Sequence, residues 1–560
     1  MVTYSLSIYS RGDFMVGAAY PGGRADIGTS RDGKGRAYIP ATALRGAFRE
    51  AAEMIDGENG DRVSLLMGKK ASKGGKTSPG ILKFSDAILM KDDPSISMSS
   101  QVRPSVAMSR MGNSAIGGRH FQREVFPGKG VVFQARISCS RTLVNEEIDF
   151  VKSTLRLVSI VGIGGAKASG LGQLIIELDE SVENHNSDCG ESRLIDKGLY
   201  VLEASFLSRF RITGVRQTTY LYDTDSVIPG RTVRGAVFTA MAEDSEVEAR
   251  IDVSSYRFSD LLPSQKDMKF SCPIPSTSLA VKYDADDDRC WDSLALQLAA
   301  ASMGGAVIVP SEKDGVALAP AKGVMSEKKP VKIPLSKGIS SHVEISRSSG
   351  TARSGVLWSY RSIEPEEGQS WKGFLWARTP LVLPKKAWIG GGRSRGYGEA
   401  YLKATPISRA WGSLKNRFDR FQKGMADQFS SLSIENSGGK LFWSMMLFSP
   451  MIPIPSSDKV DDLLVREGLP DGVKILFRSL RTELCGGFWE KAGIPAHLNV
   501  AYAPGGVVAG TVPTGKAESF ISWAEERELC GIGQAREEGY GWVLFCHPWH
   551  LEGQVISNDV

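Results

Sequence analysis

Apolar and polar residues alternate over Tyr4–Tyr9 and Phe14–Ala18, and again over Tyr200–Ile212. A period of two sends successive side chains to opposite faces, so these stretches predict half-buried strands. Each is followed by a helical period, over Leu44–Met54 and Val233–Met241. Apolar positions three and four apart predict helices with one buried face. Apolar strand-like ends follow at Gln173–Leu178, Ala400–Leu402 and Trp542–Cys546, and Val460–Leu480 is an amphipathic stretch. Strands and helices alternate without a long parallel series, which predicts an α+β fold.

Between strand and helix the chain repeats itself. Ile39-Pro40-Ala41-Thr42-Ala43-Leu44-Arg45-Gly46-Ala47 recurs as Ile228-Pro229-Gly230-Arg231-Thr232-Val233-Arg234-Gly235-Ala236, both of the form I-P-x-x-x-(L/V)-R-G-A. Proline ends the extended segment and fixes the entry to the helix. The hydroxyls of Thr42 and Thr232 are expected to cap orphan amides there. A helix start with arginine close behind suits an anion. One copy alone reads as a plain capped helix start; two copies with matching sequels favour the anion reading.

Each copy is followed by a glycine-rich segment, 162–172 and then 389–398, and a looser third lies at 531–541. A dinucleotide-binding glycine loop opens a helix early in its domain, whereas these come late and run into strands. No G-x-x-x-x-G-K-(S/T) phosphate loop is present. Little side-chain bulk, flanked by Lys167, Arg393 and Arg395, suits an RNA backbone lying against the amides. A tight hairpin between strands is the alternative.

The polar stretch Ser181–Lys197 reads as a linker. It divides the chain into a first module over 1–180, a linker over 181–197, a second module over 198–405 and a third, degenerate region over 406–560.

Composition adds limits. The 560 residues suffice for about three folding units, and 42% hydrophobic residues suffice for their cores. The net charge of +5 argues little for nucleic acid, but its distribution argues more. Residues 62–83 hold Arg62, Lys69, Lys70, Lys73, Lys76 and Lys83 with no acidic residue, which reads as a basic loop suited to phosphates. A solvated surface loop is the plainer alternative. The seven cysteines include no C-x-x-C pair, which disfavours a zinc ribbon and a secreted disulfide framework. No apolar run approaches the roughly 18 residues of a membrane span. The protein is expected to be soluble and cytoplasmic.

In this order, the motifs resemble the RAMP superfamily, the RNA-recognition-like proteins of CRISPR systems. The resemblance implies tandem ferredoxin-like (RRM-like, RAMP) domains with glycine-rich loops. Residues 1–180 resemble the backbone subunit of type III complexes. They add Phe84-Ser85-Asp86-Ala87 and a segment from Val106 to Gly128 similar to the family's hairpin thumb. Residues 198–560 resemble a III-D-type subunit that caps the 5′ handle of the guide, through Arg257-Phe258-Ser259-Asp260, Pro273–Lys282 and Glu344-Ile345-Ser346-Arg347. The first copy has Ala41 where the family usually has glycine.

The resemblance also implies chemistry. Backbone subunits carry an aspartate in the loop before the I-P motif, and here Asp26 occupies that place. RNA supplies its own 2′-hydroxyl nucleophile, so a carboxylate, with or without Mg2+ or another divalent ion, can help deprotonate or align it. The commoner role of a loop aspartate is capping a turn. Thr42, Arg45, Arg231 and Arg234 at the helix starts are expected to contact RNA. So are Lys167, Ser169, Arg393 and Arg395 in the glycine segments, and Arg110 and Arg347 in thumb-like segments. No histidine precedes His120, which disfavours a guide-processing ribonuclease with an early histidine base. His547 and His550, beside Cys546, lack a fourth metal ligand nearby and are expected at the surface or packed on aromatics. The implied partners are CRISPR guide RNA, target RNA, other RAMP subunits and the large polymerase/cyclase-type subunit, with no membrane. A guide-processing endoribonuclease and a purely structural protein–protein subunit are the alternative readings.

Overall fold

The computed structural model describes residues 2–18, 25–58, 60–69, 80–90, 100–109, 111–112, 114–128, 130–179, 193–216, 221–243, 252–284, 287–305, 311–313, 315–326, 329–345, 352–408, 412–431, 439–455, 459–489, 494–552 and 554–555. Three ferredoxin-like sheets follow one another along the chain.

In the first, β1 (Val2–Ser10) leads to α1 (Ala41–Asp56), β2 (Leu82–Phe84), an excursion through β3 (Gln101–Met108) and β4 (Ala115–Val125), then β5 (Val132–Cys139), α2 (Asn145–Val161) and β6 (Leu174–Asp179). The antiparallel order is β6-β1-β5-β2. The alternation in β1 buries Tyr4, Leu6 and Ile8, while Leu44, Phe48, Ala51 and Ala52 of α1 form the helical stripe over them. Phe48 meets Phe84 at a ring separation of 5.2 Å. The excursion is a hairpin standing out from the sheet, with most of its residues exposed.

The second sheet repeats the plan with β7 (Gly198–Phe206), α3 (Gly230–Glu243) and β8 (Tyr256–Phe258). A long hairpin of β9 (Ser336–Ile345) and β10 (Ala352–Glu364) follows, then β11 (Gln369–Ala377) and β12 (Glu399–Ile407). The order is β12-β7-β11-β8. Where the first sheet has α2, this one has Leu381–Leu383 paired with Arg193–Ile195, and Lys386–Trp388 paired with β12. Part of the expected linker is therefore strand. The expected boundary at 405 falls inside β12.

The third sheet is complete rather than degenerate. After α4 (Leu414–Ser431) come β13 (Lys440–Leu447), α5 (Val460–Arg466), β14 (Lys474–Ser479), the hairpin of β15 (Thr482–Trp489) and β16 (Ile494–Tyr502), β17 (Val507–Pro513), α6 (Ala517–Cys530) and β18 (Val543–Phe545). The order β18-β13-β17-β14 matches the other two. Its core is continuous with residues of the second sheet, joining Phe374 and Leu262 to Phe448, Trp443 and Trp542. Of the two places expected for His547 and His550, the surface is excluded. Both are buried, and His550 Nδ1 lies 3.1 Å from Asp292 Oδ1, tying the C-terminal end to the second unit. Burial, then His550 and Arg417, hold the His547 pKa well below its usual value.

Candidate nucleic-acid interface

The two I-P repeats become equivalent helix starts. In each, the first helical amide is bound by an aspartate two residues past the end of the neighbouring strand. Ala41 N donates to Asp86 at 2.7 Å, and Gly230 N donates to Asp260 at 2.8 Å. These caps replace the expected role of Thr42 and Thr232, because the F-S-D turn leaves β2 and β8 beside the helix end. The serines are equivalent too: Ser85 Oγ accepts from Arg136 N at 2.8 Å, and Ser259 Oγ from Phe374 N at 2.7 Å. Burial raises the Asp260 pKa to about 7; the Gly230 N–H and Arg231 act the other way.

Further into each helix, Arg45 precedes Gly46 and Arg234 precedes Gly235. Both glycines are exposed, and a Cβ on either would meet nothing within 4 Å. Glycine inside a helix costs about 0.5–1 kcal/mol relative to alanine. Internal packing gives no reason for that cost here, whereas close approach of another backbone would. Arg45 donates to Met67 O at 2.9 Å and Arg234 to Val253 O at 3.3 Å. In both arginines Nε is buried without a hydrogen-bond partner among the described residues.

All three glycine segments form one turn shape. Each encloses a short 3-10 turn, at Lys167–Ser169, Arg393–Arg395 and Arg536–Glu538. Left-handed residues flank it, among them Ala166, Gly392 and Ala535 before and Gly170, Gly396 and Gly539 after. Closure is the same as well: Ile163, Ile389 and Ile532 donate to Gly172, Gly398 and Gly541 at 3.0, 2.8 and 2.9 Å.

The turns also pack head to tail. A Cβ on Gly396 of the second turn would overlap the Phe84 carbonyl of the first unit. A Cβ on Gly539 of the third turn would overlap the Phe258 carbonyl of the second. Each turn therefore sits on the F-S-D segment of the unit before it. At these positions the turns lie against protein, and the Gly396 and Gly539 amides donate within their own turns, to Arg393 O and Arg536 O at 3.1 Å. At the first junction Arg209 is buried between Asp86 Oδ2, at 2.6 Å, and the Tyr38 ring, at 4.2 Å. Burial opposes its charge, but Asp86 and neighbouring oxygens outweigh that and hold its pKa well above the usual value. At the second junction Arg257 lies over Trp542 at 4.5 Å and donates to Arg536 O at 3.1 Å. Burial there lowers its pKa to about 9.

The first junction gathers positive charge. Burial, then the charges of Arg49 and Arg395, lower the Arg45 pKa. Burial, then Arg395 and Arg211, lower that of His342 on β9 to about 4. Arg45, Arg49 and Arg395 thus act on one another from α1 and the second glycine turn, with Arg49 paired to Glu53 at 2.8 Å, and Arg211 lies against Gly391 of that turn with its guanidinium 3.6 Å from the Tyr360 ring. Like charges held together suit a phosphate backbone, and nearby rings suit stacked bases. Lys167 lies alongside α1, 3.7 Å from Glu50. Ser169 is exposed. Arg393 flanks the same turn as Arg395. Arg231 is covered by the β15–β16 hairpin, since a Cβ on Gly487 would overlap its guanidinium. Arg110, Arg347 and the basic stretch 70–79 lie outside the described residues.

Asp26 is exposed and stands at the foot of the β3–β4 hairpin, accepting from Gln122 N at 2.7 Å. No group of three or more His, Cys, Asp or Glu side chains that could hold a metal ion occurs among the described residues. The described residues there do not furnish the ligand set of a protein-held divalent ion.

Sequence reasoning missed Asp86 and Asp260 as caps, Arg209 as the junction cation, and Arg49, Arg211 and His342 in the cationic cluster. The F-S-D pair was visible as a repeat; the others carry no local signal.

A chain of ferredoxin-like units joined through glycine turns, with basic helix starts, is the class this geometry defines. Residues 11–175 match the family model of the RAMP superfamily. No curated protein matches the chain. Among solved structures, the chain is similar to a chain of a type III-B Cmr-beta complex bound to cognate target RNA. That likeness has 14% identity, TM-score 0.26, 31% of this chain and 96% of that one. It is similar also to a chain of a type IV-B CRISPR complex, at 14% identity and TM-score 0.25, covering 34% and 93%.

Proposed function

We propose that the protein is a guide-RNA-binding scaffold subunit of a type III CRISPR effector complex. In this reading a backbone-type unit is fused to a III-D-like handle-capping part, and the chain works in the cytoplasm. The observation that carries it is the pair of equivalent helix starts. Each offers an exposed glycine under open space with an arginine beside it, and one adjoins the cluster of Arg45, Arg49, Arg211 and Arg395. The match of residues 11–175 to the RAMP superfamily supports it. Guide and target RNA, further RAMP subunits and the large polymerase/cyclase-type subunit are the partners this reading assigns. Contacts of this type fix position along the backbone, and base pairing by the guide supplies sequence.

Asp26 is the cleavage candidate, acting on the target's 2′-hydroxyl from the foot of the exposed hairpin. The test of the scaffold reading is RNA binding by the full chain over a salt series. Arg45→Ala and Arg395→Ala are each expected to shallow the salt dependence by about 0.7 in slope per lost phosphate contact. Slopes equal to wild type in both variants refute it. Cutting of a repeat hairpin by the isolated protein would establish the guide-processing alternative instead.

A further inference from the structure

Three glycine turns of one shape are present, and two of them are seated. The second rests on Phe84 and Ser85, the third on Phe258 and the Gly230 helix start. The residue seven after the isoleucine that closes each turn makes the contact: Gly396 and Gly539. The corresponding residue of the first turn is Gly170, with the same left-handed backbone at φ 80°, and a Cβ there would meet nothing within 4 Å. Lys167, Ser169 and Gly170 are exposed around it. The chain therefore presents a bare copy of an interface that it makes twice within itself.

The receptor for such a turn is an F-S-D segment capping an I-P helix start. F-S-D occurs twice in the sequence, at 84–86 and 258–260, and both copies are covered by the chain's own turns. A second copy of this protein thus has no open receptor to offer. We propose that the first glycine turn, Ala166–Gly170, docks on the uncovered F-S-D segment and helix start of a different RAMP-type subunit. This rests on the proposed role in an effector complex and adds the face and the kind of partner. The direction is fixed as well: the partner precedes this chain in the row of units, as the first unit precedes the second.

The chemistry of the seat follows from the two that are filled. The incoming turn must be bare seven residues after its isoleucine, because a side chain there would strike the carbonyl before the serine. Asparagine tolerates left-handed backbone, so Gly170→Asn should leave the free chain folded while adding bulk at the contact.

The test co-expresses the full chain with the other RAMP-family subunits of its complex. A photo-crosslinking amino acid replaces Ser169, and cross-linked peptides are mapped by mass spectrometry. Cross-links to the F-S-D segment of another subunit are expected, together with at least a tenfold loss of that subunit from purified Gly170→Asn complexes. The melting temperature of the free variant chain should stay within a few degrees of wild type. Cross-links that fall on RNA or elsewhere on protein, or Gly170→Asn complexes of unchanged composition, overturn the proposal. Guide-RNA binding by the isolated chain is measured in parallel. Gly170→Asn should leave it unchanged and Arg45→Ala should weaken it, so failure of docking and failure of RNA binding are told apart.

Discussion

Replacing Gly46 by alanine separates a structural from a functional reason for the glycine. Gly46 lies well inside α1, is exposed, and has open space where a Cβ would go. Alanine should therefore stabilise the first unit by about 0.5–1 kcal/mol through backbone entropy and helix propensity, with no clash to offset it. For a unit of this size that is a rise of about 1–4 °C in its thermal transition. Gly235→Ala in α3 should act alike, and the two should add because the helices belong to separate units. If RNA lies over these glycines, the same substitutions weaken it. A methyl group holds the backbone away from Arg45, and leucine holds it further. Binding of a guide-length RNA to the full chain at fixed salt should fall from glycine to alanine to leucine, although both variants are more stable than wild type. Equal affinity across the three, with the stability gain present, would refute the assignment of this surface to RNA.

The remaining predictions concern single groups. Asp260 has a folded pKa of about 7 against an ordinary 3.8, so the folded state binds the extra proton between those values. Stability from this group is then fully present below pH 4 and lost as pH rises through 7, up to about 4 kcal/mol in all. Asp260→Asn keeps an acceptor for Gly230 N and should be more stable than wild type by about 4 kcal/mol at pH 8 with little gain at pH 4, measured by denaturant titration. Arg209→Ala leaves Asp86 buried without its cation and should cost about 3–5 kcal/mol, with proteolysis at the first junction as the readout. Asp26→Ala in the assembled complex should reduce cleavage of complementary RNA by at least a hundredfold while RNA retention is unchanged; undiminished cutting removes Asp26 from the reaction.

Much of the fold was legible along the chain because its signals are local. The period-two stretch at Tyr4–Tyr9 became β1, and the I-P motif opened α1 and α3 where proline dictates. The glycine spacing fixed three equal turns, since left-handed backbone at set intervals allows little else. The third region, expected to be degenerate, closes its strands in the same order as the other two.

Tertiary structure decided what these local signals meet. The F-S-D aspartates cap helices that start 45 and 30 residues earlier, an arrangement set by strand pairing across each sheet. Arg209 reads as an ordinary basic residue until Asp86 and Tyr38 are brought around it from the preceding unit. The seating of each glycine turn on its neighbour depends on how whole units stack. Periodicity reports which face of an element is buried, and it carries no record of the carbonyl that will lie against it.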